Sequence, residues 1–223
     1  MPKQSAAVQD YLKAMYMLSM DGPPEGTVST QALAERLGVS AASATNMIKK
    51  LASLGLVEHL SYRGAALTEP GRKIALEVIR HHRLLETYLA EALGVPWDRV
   101  HAEAEVLEHV LSEDLEDRIA ARLGNPTVDP HGHPIPDKDG TMPAVSGMRL
   151  WDASEGERVL VDRVSDAEAD ALRYLAELGI KPGSRLEVLG RGPVGGPLFV
   201  RIDGGGDDMN ALSKEISEVV WVA

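Results

Sequence analysis

The sequence predicts a mainly α-helical protein with a β-rich C-terminal part. Up to about residue 124, apolar residues recur at helical spacing between Gly and Pro stops. Residues 125–140 are rich in Pro, Gly and Asp and have no apolar period, which indicates a long loop. Beyond about residue 148, short alternating runs are typical of strands. We therefore expect two helical segments followed by a small β-barrel.

The N-terminal third has the pattern of a winged helix-turn-helix. A first helix is predicted in DYLKAMYMLSM, and Ser29 and Ser40 are expected to cap two further helices that end near Gly38 and Gly55. Two short helices joined by about three residues form a helix-turn-helix. The residues expected to face its core are Ala34, Leu37, Val39, Ile48 and Leu51.

The segment LVEHLSYRGAALTEPG then predicts two short strands, a β-wing. Small residues on the second helix can approach base edges, and basic residues near them can reach phosphates. The expected DNA-contacting residues are Ser40, Ala42, Ser43, Thr45, Asn46, Lys49, Lys50 and Arg63. Short helices with Gly stops are common, however, and an exposed asparagine is usually only solvated, so Asn46 alone is weak evidence. The correctly placed wing favours the DNA-binding interpretation.

The middle of the chain contains six side chains at metal-ligand spacing. A long helix is predicted in EPGRKIALEVIRHHRLLETYLAEAL, with His82 and Glu86 four residues apart, and Pro96 opens a second helix. On that second helix, residues at offsets 0, 4, 7 and 8 share one face. They are His101, Glu105, Glu108 and His109. A divalent transition metal is the favoured ligand.

Other ligating residue types in this region have a simpler interpretation. A lone histidine is more often an ordinary surface or core residue than a ligand, which is the favoured interpretation of His131 and His133. Glutamates usually lie on a solvated face, and Glu103, which points away from the predicted stripe, is interpreted in that way.

Composition narrows the function classes. The chain has no cysteine, which excludes disulfides and thiolate metal ligands. No apolar run approaches the roughly 18 residues that span a bilayer, and the N-terminus lacks the apolar core of a signal peptide, so we expect a cytoplasmic protein without a membrane segment. The net charge is −11, but residues 1–75 hold 8 Lys and Arg against 6 Asp and Glu, whereas residues 76–140 hold 6 against 14. Only the first third can meet phosphates without repulsion, and cations are drawn to the middle.

Two other function classes are less favoured. The sequence has no H-E-x-x-H motif, no paired E-x-x-H helices, no nucleophile elbow and no phosphate-binding loop, so we expect no enzyme. A metal-binding enzyme remains the alternative from another class. A regulator that answers an organic ligand needs an apolar pocket, and one Phe in 223 residues supplies little for stacking.

The order of motifs resembles the diphtheria toxin repressor family of iron- and manganese-dependent transcriptional repressors. The resemblance covers nearly the whole chain, through QDYLKAMYML, the helix-turn-helix and wing, HHRLLETYL, VHAEAEVLEHVLSEDLEDRI and GHPIP. It implies a winged-helix DNA-binding domain over 1–75. It also implies a helical metal-binding and dimerisation domain with its linker over 76–145, and a Src-homology-3-like (FeoA-like) domain over 146–223.

The resemblance also implies two metal sites. One comprises His82, Glu86 and His101, and the other comprises Asp10, Glu105, Glu108 and His109. Manganese-sensing relatives have carboxylates at the positions of Asp10 and Glu105. Iron-sensing relatives have a thiol at the position of Glu105. Mn²⁺ is therefore the expected ion and Fe²⁺ the alternative. Lys13 departs from that branch, since short manganese sensors have a ligating glutamate there, which argues against a closely coupled metal pair. A ligand from the C-terminal domain is expected at Glu168, with Asp166 or Asp170 as substitutes, although these residues are equally typical of a helix N-terminus.

The function implied is a metal-gated repressor of metal-uptake genes. Without metal, the carboxylates of Asp10, Glu105 and Glu108 repel one another, and cation binding removes that repulsion. The partners implied are a second copy of the chain and a double-stranded DNA operator, with two recognition helices entering successive major grooves.

Overall fold

The computed structural model describes residues 4–20, 26–60, 64–204 and 208–223. The chain forms two compact units. Unit 1 comprises Met1–His82, Glu108–Leu111 and Pro136–Met142, and unit 2 comprises Arg83–Leu107, Ser112–Ile135 and Pro143–Ala223. None of the described helices is long and apolar enough to cross a membrane.

Unit 1 contains the predicted winged helix-turn-helix. Its elements are α1 (Ala6–Met20), α2 (Thr30–Arg36), α3 (Ala41–Ser53), β1 (Val57–Leu60) and β2 (Gly64–Leu67). The predicted caps are confirmed, because the Ser29 and Ser40 side chains accept hydrogen bonds from the backbone N–H groups of Ala32 and Ser43. Strands β1 and β2 pair antiparallel as a wing. Arg63 lies outside the described residues.

The core of unit 1 joins α1 to α2 and α3. Its fully buried side chains include Leu12, Met15, Leu33, Ile48 and Leu51. The expectation for Val39 is wrong, since 37% of this residue is exposed. Its backbone N–H bonds the carbonyl of Ala34 in the turn that ends α2, and this leaves the side chain pointing outward.

Helix α4 (Glu69–Leu93) has the predicted bounds; it begins in unit 1 and continues into unit 2. Unit 2 continues with α5 (Val100–Leu107) and α6 (Glu113–Arg122), the latter capped by Ser112 as expected. The predicted stripe of four ligands on one helix is wrong in its second half. Because α5 ends at Leu107, Glu108 and His109 lie in the turn that follows, within unit 1.

The C-terminal part of unit 2 is a six-stranded antiparallel sheet in the order β3-β8-β4-β5-β6-β7. Its elements are β3 (Met148–Arg149), β4 (Arg158–Val164), α7 (Ala169–Leu178), β5 (Arg185–Arg191), β6 (Leu198–Ile202), β7 (Met209–Leu212), α8 (Lys214–Glu218) and β8 (Val220–Val222). The four predicted strands and the helix are present. The sequence did not indicate β3, β7 or α8. Buried residues such as Val161, Leu172 and Val200 form the core between α7 and the sheet.

Candidate metal centres

The first ligand group lies in unit 1 and comprises Asp10, Glu108 and His109. Each offers one ligand atom, and the three atoms lie within 4.8 Å of one another. Asp10 comes from α1, and the other two come from the turn after α5. His109 Nε2 lies 2.9 Å from Asp10 Oδ1, while His109 Nδ1 donates to Gln9 Oε1 at 2.8 Å. Gln9, which sequence reasoning missed, therefore holds the ring with Nε2 facing the carboxylates, as outer partners of ligating histidines do.

The Lys13 side chain contacts the Glu108 end of this group. Its ammonium donates to both carboxylate oxygens of Glu108, at 2.8 and 3.1 Å, and lies 3.1 Å from His82 Nδ1. His82 Nδ1 in turn lies 2.5 Å from Glu108 Oε2. The Glu108 carboxylate is fully buried, and a buried charge needs a partner. In this structure Lys13 supplies that partner from α1, one turn after Asp10.

The second group lies in unit 2 and comprises Glu86, His101 and Asp166, whose ligand atoms also lie within 4.8 Å of one another. His101 Nδ1 lies 3.3 Å from Glu86 Oε1 and 3.5 Å from Asp166 Oδ2. Glu86 comes from the middle of α4, His101 from the first turn of α5, and Asp166 from the segment between β4 and α7. The Glu86 side chain is fully buried, and Asp166 is half-buried.

The electrostatics of this second group are those of an imidazolium between two carboxylates. Hydrogen bonds to Asp166 and then Glu86 raise the pKa of His101 from 6.5 to about 10, against the opposing effect of burial. Burial alone would raise the pKa of Asp166. The hydrogen bond to His101 and the charges of His133, His101 and His131 outweigh burial and hold this pKa well below its usual range. At neutral pH a proton therefore holds the place that a metal ion can take.

The other predicted ligands, His82, Glu105 and Glu168, have the following surroundings. His82 contacts Glu108 and Lys13, one helical turn before Glu86 on α4. Glu105 Oε1 lies 3.9 Å from His101 Nε2 on α5, and its side chain is 43% exposed. Glu168 is exposed at the N-cap of α7, so its side chain points to solvent where the helix begins, and Asp166 is the residue that reaches His101.

The donor sets of both groups fit a divalent transition ion. Each offers two carboxylates and one imidazole, from segments far apart in sequence. Oxygen and imidazole donors suit Mn²⁺ and Fe²⁺, and the second group has a fully buried carboxylate at its base. The residues that could hold an ion are Asp10, Glu108 and His109 in unit 1, and Glu86, His101 and Asp166 in unit 2.

The predicted DNA-contacting face lies on α3 and its N-cap. Ala42, Asn46, Lys49 and Lys50 are exposed on this helix. The hydroxyls of Ser40 and Ser43 hydrogen-bond each other at 2.9 Å, and Thr45 Oγ1 donates to the carbonyl of Ala41. These three hydroxyls therefore already hydrogen-bond to neighbouring residues. Asn46, Lys49 and Lys50 are the exposed polar side chains of the helix from which we expect the main DNA contacts.

Comparison with protein families matches three segments of the chain. Residues 3–65 match the iron dependent repressor N-terminal DNA binding domain, and residues 68–137 match the iron dependent repressor metal binding and dimerisation domain. Residues 148–223 match the FeoA domain.

Whole relatives and solved structures agree with these matches. The iron-dependent repressor IdeR of Mycobacterium leprae is 34% identical over 191 residues, covering 80% of this chain and 81% of the relative. The diphtheria toxin repressor of Corynebacterium diphtheriae is 31% identical, covering 81% and 83%. The structure of a manganese-dependent transcriptional repressor in complex with manganese is 45% identical, with a TM-score of 0.89, and covers 97% of this chain and 99% of its own.

The winged helix, the clustered carboxylate and imidazole side chains and the family matches place this chain in the class of metal-dependent transcriptional repressors. The chain belongs to the family of the diphtheria toxin repressor and the iron-dependent repressors. The expected fold and class of function are thereby confirmed.

Proposed function

We propose that this chain is a manganese-responsive repressor that binds a double-stranded operator as a homodimer and controls metal-uptake genes. The observation that supports manganese is the donor chemistry. Both ligand groups consist of carboxylates and imidazole, and the sequence contains no cysteine that could supply a softer ligand. Hard oxygen donors favour Mn²⁺ over softer competitors, although affinity alone does not set metal choice.

The comparisons support the same ion but keep a second candidate. A manganese-dependent repressor is 45% identical to this chain, whereas two iron-dependent repressors are 34% and 35% identical. Iron-dependent repression is therefore the alternative, and the choice of metal is the quantity to be measured.

The mechanism we propose acts through α1. A bound divalent ion supplies two positive charges that compensate the clustered carboxylates of Asp10 and Glu108. Asp10 belongs to α1, whereas Glu108 and His109 belong to the turn after α5, so ligation ties α1 to that turn. Because α1 shares one core with α2 and α3, restricting α1 restricts the recognition helix α3.

In a dimer, restricting each α3 fixes the distance between the two recognition helices. Two α3 helices must be spaced by about one turn of DNA, roughly 34 Å, to enter successive major grooves. The match to a metal binding and dimerisation domain supports a homodimer. The chain carries a net charge of −11, so non-specific attraction to DNA is weak and fixed spacing must provide much of the affinity.

The test is operator binding under anaerobic conditions at buffered free Mn²⁺, Fe²⁺ and Zn²⁺. The operator is first selected from random duplex DNA by the Mn²⁺-loaded full chain. We expect operator binding to reach half of its maximum at a free Mn²⁺ concentration at which the same concentration of Fe²⁺ activates binding only weakly. Equal or stronger activation by Fe²⁺ at matched concentrations would favour the iron-dependent alternative.

A second arm tests the recognition helix. Asn46→Ala should reduce the preference for the selected operator by roughly 1–3 kcal/mol if the amide makes a bidentate base contact. Lys50→Ala should weaken the selected and random sequences alike and reduce the salt dependence. Identical effects of the two variants on both DNAs would contradict this assignment.

A further inference from the structure

A third cluster of ligating side chains lies in the loop that follows α6, within unit 2. It consists of Asp129, His131 and His133, whose ligand atoms lie within 4.8 Å of one another. The side chains of Asp129 and His131 are fully buried, and that of His133 is 13% exposed. Asp129 Oδ1 accepts from the backbone N–H groups of His131 and His133, at 2.8 and 2.9 Å. The loop therefore folds around this carboxylate and leaves its second oxygen facing inward.

Each of the three side chains has a buried atom without a hydrogen-bond partner in the described part of the chain: Asp129 Oδ2, His131 Nδ1 and His133 Nδ1. The state of His131 is set by its other nitrogen, because Nε2 lies 2.8 Å from the carbonyl oxygen of Trp97 and must donate to it. In the neutral ring, Nδ1 then carries a lone pair. Burying one polar group without a hydrogen-bond partner costs about 1–3 kcal/mol of folding free energy. Three such atoms close together are explained most simply by one ligand that contacts all three.

One positive and one negative charge lie beside the cluster. Arg83 Nε lies 3.7 Å from Asp129 Oδ2, and its guanidinium also donates to the carbonyl of Pro134. Glu86 Oε1 lies 3.9 Å from His131 Nδ1 and adds a second negative charge to this region. A competing account is a simple ion pair, since His133 Nδ1 lies 3.4 Å from Asp129 Oδ2. Burial lowers the pKa of His133, but the adjacent Asp129 carboxylate has the larger opposite effect, so the net pKa is raised.

We propose that Asp129, His131 and His133 form a further divalent-cation site with a two-histidine, one-carboxylate ligand set. Imidazole-rich sites of this kind prefer Zn²⁺ to Mn²⁺. The donation from His131 to a backbone carbonyl is the usual outer support of a ligating histidine. Its three ligands are separate from those of the proposed manganese groups, although Glu86 of the second group lies 3.9 Å from His131 Nδ1.

The site has a structural role in unit 2. The carbonyl of His131 accepts from the backbone N–H of Val164 on β4 at 2.8 Å. Gly132 has φ +87°, and a Cβ at this position would collide with the carbonyl oxygen of Asp162. The loop is thus packed directly on β4, and a cation held by its three side chains fixes that packing.

The experiment counts Zn²⁺ bound to the full-length chain after chelation and re-addition, by elemental analysis following gel filtration. The variants are Asp129→Asn and His133→Asn, and the matched control is His59→Asn, which changes an exposed histidine on β1. We expect both loop variants to bind one Zn²⁺ per chain fewer than wild type, and the control to bind the wild-type number. Unchanged Zn²⁺ in both loop variants would leave only the Asp129–His133 ion pair and overturn the site.

A second measurement needs no variant. Because Co²⁺ displaces Mn²⁺ from carboxylate–imidazole groups, wild-type protein is titrated with Co²⁺ alone, and the intense visible bands of a nitrogen-containing site of low coordination number should accompany a third bound equivalent. Absence of such bands would overturn the proposal. Operator binding is measured separately, so a failure of the manganese response and a failure of this site give different results.

Discussion

The two ligand groups proposed for manganese balance their carboxylates in different ways. In unit 1, the buried Glu108 is held by the ammonium of Lys13. In unit 2, Glu86 and Asp166 are held by His101, whose pKa they raise to about 10. Part of the negative charge in each group is therefore compensated from within the chain before any ion binds, in one group by the Lys13 ammonium and in the other by a proton on His101.

This difference shows how carboxylate clusters fold without metal. The expectation of bare carboxylate repulsion in the metal-free state is replaced by internal compensation in both groups. An ion entering unit 2 displaces a proton, which solvent takes up easily. An ion that binds in unit 1 competes with the Lys13 ammonium for the Glu108 oxygens. This ammonium can shift its position but remains attached to α1. Metal binding should accordingly depend on pH in unit 2 and on the residue at position 13 in unit 1.

The largest effect is expected for Glu108→Gln. The change leaves Lys13 beside an uncharged amide in a buried site, which should lower the free energy of unfolding by about 2–4 kcal/mol. It also removes a ligand, so metal-dependent operator binding should fall by at least about a hundredfold. Urea unfolding and operator titration measure both quantities. Glu103→Gln, on the exposed side of α5, is the control and should stay within about 0.5 kcal/mol of wild type.

Lys13→Met removes the tethered competitor from unit 1. We expect the Mn²⁺ affinity of this group to rise by roughly ten- to a hundredfold, because Glu108 no longer shares its oxygens with an ammonium. Lys13→Arg keeps the charge and should leave the affinity near the wild-type value. Calorimetry in a His101→Ala background, which removes the imidazole of the second group, isolates unit 1. Equal affinity in the Met and wild-type chains would contradict competition by Lys13.

The pH dependence of unit 2 follows from His101. Its folded pKa lies above 6.5, so its ion pairs stabilise the metal-free chain fully below pH 6.5 and are lost as pH rises through about 10. Metal affinity runs in the opposite direction and should increase by up to about tenfold per pH unit between pH 7 and 9. Calorimetry of an Asp10→Asn variant in buffers of different ionisation enthalpy should detect release of one proton per ion. Binding without proton release would show that His101 is already neutral.

The smallest effect is expected on the Mn²⁺ affinity of unit 2, and it is tested with a matched pair of variants at Asp166 and Glu168. Asp166→Asn removes the carboxylate that lies 3.5 Å from His101 and should weaken Mn²⁺ binding in unit 2 by several-fold. Glu168→Gln changes an exposed residue at the N-cap of α7 and should leave this affinity unchanged. The reverse result would return the ligand role to Glu168.

Sequence predicted the fold well because its boundaries are local. Ser29, Ser40 and Ser112 each cap a helix through their own side chains, and a cap depends only on residues a few positions away. The end of α5 had no such signal. The run VLEHVLS keeps its apolar period and contains neither Gly nor Pro, so nothing local indicated that Glu108 and His109 leave the helix.

The ligand partners were harder to predict because they depend on contacts distant in sequence. Glu108 is separated from Lys13 by 95 residues, and His109 from Gln9 by 100. His131 and His133 were interpreted as ordinary residues because a Pro- and Gly-rich loop without an apolar period gives no indication of burial. Burial and unsatisfied polar atoms become visible only in the folded chain.

The most direct test of the metal-dependent function is operator affinity of the wild-type chain measured against free Mn²⁺ at pH 7 and pH 8.5. The predicted result is negligible specific binding in excess chelator, saturable binding as Mn²⁺ rises, and a midpoint at lower Mn²⁺ at the higher pH. Equal operator affinity in chelator and in excess Mn²⁺ would contradict metal-dependent repression by this chain.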